Sequence, residues 1–250
     1  MEKTACRRTF LGIIVSILLL ITQIFLGKTG HLIAKRIPYQ SIDPFDCFVE
    51  ISIHHAVELL IALAIILILS KLLNLDFNFQ LGDMKKGIKY LTVFTAVFSV
   101  ITIAQHAFMA LNNQLPIYMF PLDGRNIIGT LGFQLLLSGP AEEVIFRALP
   151  ITLLTYSFGK SIEIKGSVTL EVILASLLFA FAHVSWSLIP LTFEANYFQI
   201  IYAFVLGTIQ GIVYQRSKSI LYPVLMHSFS NVLMVGGGYG NKQTDVRGEA

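Results

Sequence analysis

The stretch Gly139-Pro140-Ala141-Glu142-Glu143-Val144-Ile145-Phe146-Arg147 sets three ionisable side chains inside an apolar run. A charge at membrane depth costs roughly 2.5 to more than 10 kcal/mol, so residues of this kind are read first as functional. Glu143 and Arg147 are four apart with the acid first, the better order for an intrahelical ion pair. Glu142 points about 100° away from that pair and needs another partner. Pro140 suits the first turn of a helix, where exposed amides favour the two acids. Two later segments carry matching chemistry. Phe179-Ala180-Phe181-Ala182-His183 closes one apolar window, and His227-Ser228-Phe229-Ser230-Asn231 sits inside another with its ends on one helical face. His54, His55 and Glu58 add a third cluster, in which His54 and Glu58 are four apart.

Taken singly, each has a structural explanation. Glu143–Arg147 reads as an ion pair between packed helices, His54/Glu58 as a pair reaching the membrane interface, and a lone histidine as a packing residue. Together they are harder to explain that way. Glu142 and His227 fall at the centres of their apolar windows, and His183 and Asn231 lie about 6 Å beyond theirs on the same side. Lipid satisfies none of these groups, so they must face one another or a wet cavity. A carboxylate, two imidazoles and a carboxamide suit hydrolysis of an acyl bond. The carboxylate takes a proton from water, a histidine orients that water, and His227 with Asn231 holds the oxyanion. The same set fits zinc through Glu142, His183 and His227 with a position left for water. Neither a His-Glu-x-x-His element nor a Gly-x-Ser-x-Gly elbow is present.

These residues need helices to position them. The chain is 55% hydrophobic and only 13% charged, with a mean hydropathy of +0.72. A soluble domain averages about 25% charged residues, so the composition predicts an all-α, polytopic membrane bundle. The net charge of +3 is small and dispersed, which argues against a nucleic-acid partner. Cys6 and Cys47 form no metal or redox spacing. Apolar windows at 10–26, 49–69, 88–111, 126–158, 168–190, 196–213 and 219–235 predict seven spanning helices. The first follows Lys3, Arg7 and Arg8 and reads as a retained signal-anchor. The fourth window is long, with a kink expected at Gly139-Pro140; if that pair instead separates two spans, the count is eight. With the N-terminus in the cytoplasm, eleven Lys and Arg fall inside and six outside. The glycine-rich, polar tail 236–250 is expected to be flexible.

The order Glu142-Glu143-x-x-x-Arg147, Phe179-x-x-x-His183, His227-x-x-x-Asn231 on successive apolar helices resembles the CAAX protease and bacteriocin-processing (Abi) family of intramembrane endopeptidases. Its best-known members are the type II CAAX prenyl endopeptidases. The resemblance covers roughly 125–235, leaving 1–115 as an N-terminal three-helix region without signature. It implies Glu142 as catalytic base, with His183 helping it activate water and His227 and Asn231 stabilising the oxyanion. Glu143 becomes a supporting carboxylate and Arg147 its structural partner. The family is often named metalloprotease, and a metal-free glutamate mechanism is also argued for it; the His–Asn spacing favours the metal-free form. The expected substrate is a membrane-associated peptide or protein, the expected surroundings membrane lipid, and the expected location a bacterial plasma membrane. The alternatives are a non-proteolytic immunity or signalling-modulator protein that keeps the fold, and a proton-coupled or metal transporter.

Overall fold

Long apolar runs separated by Asp, Asn and Gly fold here into helices whose ends those residues fix. The computed structural model describes residues 2–188 and 190–240, and within them the chain forms seven helical runs and two short hairpins. We number the first three α1 (Glu2–Ala34), α2 (Val49–Leu73) and α3 (Met84–Leu111). The fourth, α4, is a helical run over 124–158, followed by α5 (Leu170–Phe181), α6 (Tyr197–Ser217) and α7 (Leu221–Gly238). Hairpin β1–β2 (Glu163–Lys165, Val168–Thr169) joins α4 to α5, and β3–β4 (Ser185–Leu188, Leu191–Glu194) joins α5 to α6.

Side-chain oxygens of Asp83, Asp123, Thr169 and Asn196 accept backbone N–H bonds at the starts of α3, α4, α5 and α6. Asn74, Gly159 and Lys218 close α2, α4 and α6 in the left-handed conformation. Asp43, fully buried in the loop before α2, accepts from the N–H groups of Cys47, Phe48 and Val49 at 3.1, 2.7 and 2.8 Å. Burial pushes its carboxyl up, but the bonds from Val49, Phe48 and Cys47 outweigh it and hold the group below the usual range.

Cys6–Ala34, Val49–Leu73, Met84–Leu111 and Tyr197–Ser217 are long and apolar enough to cross a membrane. The other three runs, α4, α5 and α7, carry the residues singled out for chemistry. Helices α1 and α2 pack together and against α4, α3 lies on α6 and α7, and α5 on α6. The start of α3 meets the end of α6 through Asp83 N–H donating to Ser217 O (2.6 Å). At the other end Tyr118, before α4, donates to Val235 O of α7 (3.0 Å).

Two features bear on the sequence expectation. The fourth window, expected to kink at Gly139-Pro140, stays one helical run from Gly124 to Phe158. Two π-type turns, Gln134–Ser138 and Val144–Ala148, flank the α-helical turn Gly139–Glu143. Wider turns of this kind take up an extra residue, and here they also accommodate a proline that lacks an N–H. The fifth window, 168–190, reads as one helix, yet α5 stops at Phe181 and the chain turns into β3–β4. The alternation Ser185-Trp186-Ser187 is a strand period inside an apolar stretch, which hydropathy averaged over a window does not resolve. At the C-terminus, α7 continues through the three glycines to Gly238; residues 241–250 of the expected tail lie outside the described residues.

Candidate active site

Helix α4 runs through the centre of the bundle, and its α-helical turn presents two neighbouring carboxylates in different directions. Glu143 is fully buried and Arg147 nearly so, with Glu143 Oε2 3.2 Å from Arg147 Nε. The N–H does not point at that oxygen, so the contact is ionic and not a formed hydrogen bond. Arg147 instead donates Nη2–H to Gln210 Oε1 of α6 (2.5 Å) and lies 4.1 Å over the Phe179 ring of α5. One guanidinium thereby ties three helices together. Glu143 and Arg147 thus meet within one helix, four residues apart.

Glu142 faces the other way, toward α2 and α7. Its Oε1 accepts from Ser138 Oγ (3.1 Å) and lies 3.3 Å from His55 Nε2. Its Oε2 lies 3.6 Å from His227 Nε2. His227 Nδ1 is 2.6 Å from Glu143 Oε1, so both carboxylates meet one imidazole. One turn along α7, Asn231 Nδ2 donates to Ser138 Oγ (2.9 Å), and Ser138 passes its own hydrogen to Glu142. Close approach of the helices makes this network reachable. Gly139 packs directly on Ser228 of α7, and a Cβ there would also come within 3.1 Å of Val224 O.

His183 stands just beyond α5. Its Nδ1–H donates to Phe179 O (2.9 Å), and its ring meets the Phe179 ring edge-on. No hydrogen bond joins it to Glu142 among the described residues. It shares with Glu142, His227 and Asn231 the wall of one cavity of about 370 Å³, lined also by His55 and Ser138. A more open recess formed by residues 194–199 adjoins this cavity at His183 and Gln199. The four residues expected from sequence therefore reach a common space, contributed by α4, α7 and the end of α5.

Three neighbours were not part of that expectation. His55, whose Nδ1–H is held by Ile51 O (3.0 Å), presents its other ring nitrogen to Glu142. The paired His54 and Glu58 instead meet each other at 3.2 Å, away from Glu142. The two histidines are adjacent in sequence, so only the rotation of α2 against α4 decides which one reaches the site. Ser138 lies four residues before Glu142 and was legible as a same-face hydroxyl. Gln210 was legible as an amide stranded in an apolar helix. Ligand atoms of His54, His55 and Glu58 lie within 4.8 Å of one another, a second histidine–carboxylate group on α2.

Residues 124–233 match the sequence profile described as Rce1-like, type II CAAX prenyl endopeptidase. This segment is Rce1-like. The match begins at the first residue of α4 and stops inside α7, so the Rce1-like region contains every site residue named above except those of α2, Ile51, His54, His55 and Glu58. Neither the curated proteins nor the solved structures compared with the chain gave a match. The Rce1-like segment and the four apolar helices point to an integral membrane protein, and the resemblance points to a protease hydrolase.

Proposed function

We propose that the protein is an intramembrane endopeptidase that hydrolyses a peptide bond in a membrane-associated peptide or protein tail. The observation that carries this reading is the gathering of Glu142, His183, His227 and Asn231 around one cavity inside the Rce1-like region. The helical runs form a bundle in a bacterial plasma membrane in this reading, with the N-terminus in the cytoplasm.

Glu142 acts as the base. Ser138 and His55 hold its Oε1, leaving Oε2 directed at the His227 side of the cavity. Water positioned between Glu142 and His183 gives a proton to the carboxylate as its oxygen attacks the scissile carbonyl. The His183 tautomer is fixed by Phe179 O, so its Nε2 accepts from that water and orients it. The carbonyl oxygen gains negative charge and is met by Asn231 Nδ2 and His227 Nε2. His227 already gives Nδ1–H to Glu143, so it donates from Nε2 as the imidazolium, whose charge opposes those of both glutamates. Each such donor is worth roughly 3–4 kcal/mol to the tetrahedral state. Collapse breaks the C–N bond, and the proton held by Glu142 passes to the leaving amine.

The donor set also fits a zinc ion. His183 and His227 both commit Nδ1 to an acceptor and keep Nε2 free, the arrangement that orients metal-binding imidazoles. In a zinc-dependent version Glu142, His183 and His227 would hold the ion, which would polarise the carbonyl and acidify water. Metal content of active protein, measured beside chelator titration, separates the versions.

The test is cleavage of a peptide library by purified protein in detergent, with products read by mass spectrometry. Wild type cuts; Glu142→Gln, His183→Ala and His227→Ala do not, while their melting temperatures stay near wild type. Undiminished cleavage by the Glu142→Gln protein removes the assigned base.

A further inference from the structure

At the other end of the bundle from the His183 recess lies a larger cavity, of about 1180 Å³, that the hydrolytic chemistry does not use. Arg7 and Arg8 of α1, Lys86 of α3, Lys160 after α4, and Arg216 and Lys218 at the end of α6 all line it. Six cations face two lining carboxylates, Asp76 and Glu163, leaving +4.

Much of this charge has no internal partner. Lys86 is held by Asp83 at 2.8 Å, and Arg216 donates to Gly166 O at 3.4 Å. Asp76 is occupied by Asn78 N–H and the Gln80 amide. Among the described residues, no carboxylate lies in ion-pair contact with Arg7, Arg8, Lys160 or Lys218. Two helix C-termini, those of α4 and α6, reach this rim and bring about −0.5 each. They account for part of the excess: Arg8 lies with its guanidinium carbon against Gly159, the left-handed residue that closes α4. With Lys86 neutralised by Asp83 as well, roughly two positive charges remain after that allowance.

The same wall is partly greasy. Leu11, Ile151 and Tyr156 line the cavity together with the cations. Leu11 and Tyr156 are exposed, and Leu11 continues into the apolar face of α1 through Phe10, Ile14 and Leu18. An anion bound here thus has a hydrocarbon surface beside it, running along the direction of the helices.

We infer that this cavity binds the phosphate headgroup of an anionic membrane lipid, with its acyl chains lying along α1 and α4. Arg8 and Lys160 contact the phosphate, and Lys218 and Arg7 close the outer side. A soluble phosphate shares the headgroup chemistry but not the contact with Leu11 and Tyr156. The inference is independent of the hydrolytic reading and survives its failure.

The experiment is native mass spectrometry of the full-length protein in neutral detergent, titrated with short-chain phosphatidic acid, short-chain phosphatidylcholine or inorganic phosphate. The acid lipid should bind at least about tenfold tighter than phosphatidylcholine, and Arg8→Gln/Lys160→Gln should weaken it about tenfold or more. Lys28→Gln, outside the cavity, should leave it unchanged. Arg8→Gln alone, expected to lose part of the affinity, serves if the double variant is not folded. Equal binding of both lipids, or variants that bind like wild type, overturns the proposal. Inorganic phosphate displacing the lipid at equal concentration also overturns it, since the site would then take a soluble anion.

Discussion

In the best apolar windows of α1, α2 and α3, 22, 11 and 17% of the residues are buried within the protein. In α6 the figure is 33%, and along α4 the residues from Ala141 to Leu154 are mostly buried and none is exposed. The first group is solvated chiefly by lipid, for which a side chain need only be apolar. The second is solvated by its neighbours, for which size, shape and hydrogen-bonding must all agree. The polar residues follow the same division. On α2 they stand toward the ends, Glu50 to Glu58 at one and Ser70-Lys71 at the other, whereas on α4 and α7 they stand at mid-helix. Tolerance of substitution should therefore differ sharply between the two regions, and the following expectations test that difference.

The largest effect belongs to the reacting groups. Glu142→Gln should lower cleavage by about 100- to 10,000-fold, read from initial rates, with little change in melting temperature. Next comes Arg147→Met, which leaves Glu143 buried without its cation. It should cost about 3–5 kcal/mol of stability, and Glu143→Leu/Arg147→Met should recover much of that loss. Denaturation in mixed micelles measures both. Leu149→Ala, at a fully buried α4 position, should cost about 2–5 kcal/mol. Leu60→Ala, on the two-thirds exposed face of α2, should cost less than about 1 kcal/mol in the same assay, because lipid replaces the lost contact. Equal costs at these two leucines would erase the contrast.

His55 is where the quiet region touches the demanding one. His55→Ala removes a contact to Glu142 and should reduce kcat by about 10- to 100-fold, the equivalent of one hydrogen bond to a charged group. His54→Ala should change it by less than about threefold. Smallest is the loop effect at Asp43. A carboxyl held low in the folded protein contributes stability above its unfolded value of about 3.9, and that contribution is lost as pH falls. The stability gap between wild type and Asp43→Asn, about 2 kcal/mol at pH 7, should thus close below about pH 4.

The sequence carried the membrane class, the ion pair and the three motif segments, because each depends on local spacing. Glu143 to Arg147 and His227 to Asn231 are four-residue separations, and helical geometry alone sets their shared faces. What it did not carry depends on one helix turned against another. Nothing local distinguishes His54 from His55, yet the two meet different carboxylates. The end of α5 was lost for another reason. Trp186 and its neighbours are as apolar as a helix, and only their two-residue alternation marks the hairpin that leaves His183 on a turn.

The π-type turns on either side of Gly139–Glu143 make α4 sensitive to length in a way that motif matching overlooks. Each wide turn stores one residue beyond an ordinary helix. Closing the turn over 134–138 to regular pitch, with every residue kept, would spare every motif. Everything on one side of that turn would then swing by about 100° relative to the other, taking Phe133, which lines the cavity against His55, out of register with Glu142. A homologue with all the right letters and an ordinary helix at this point would be a different machine.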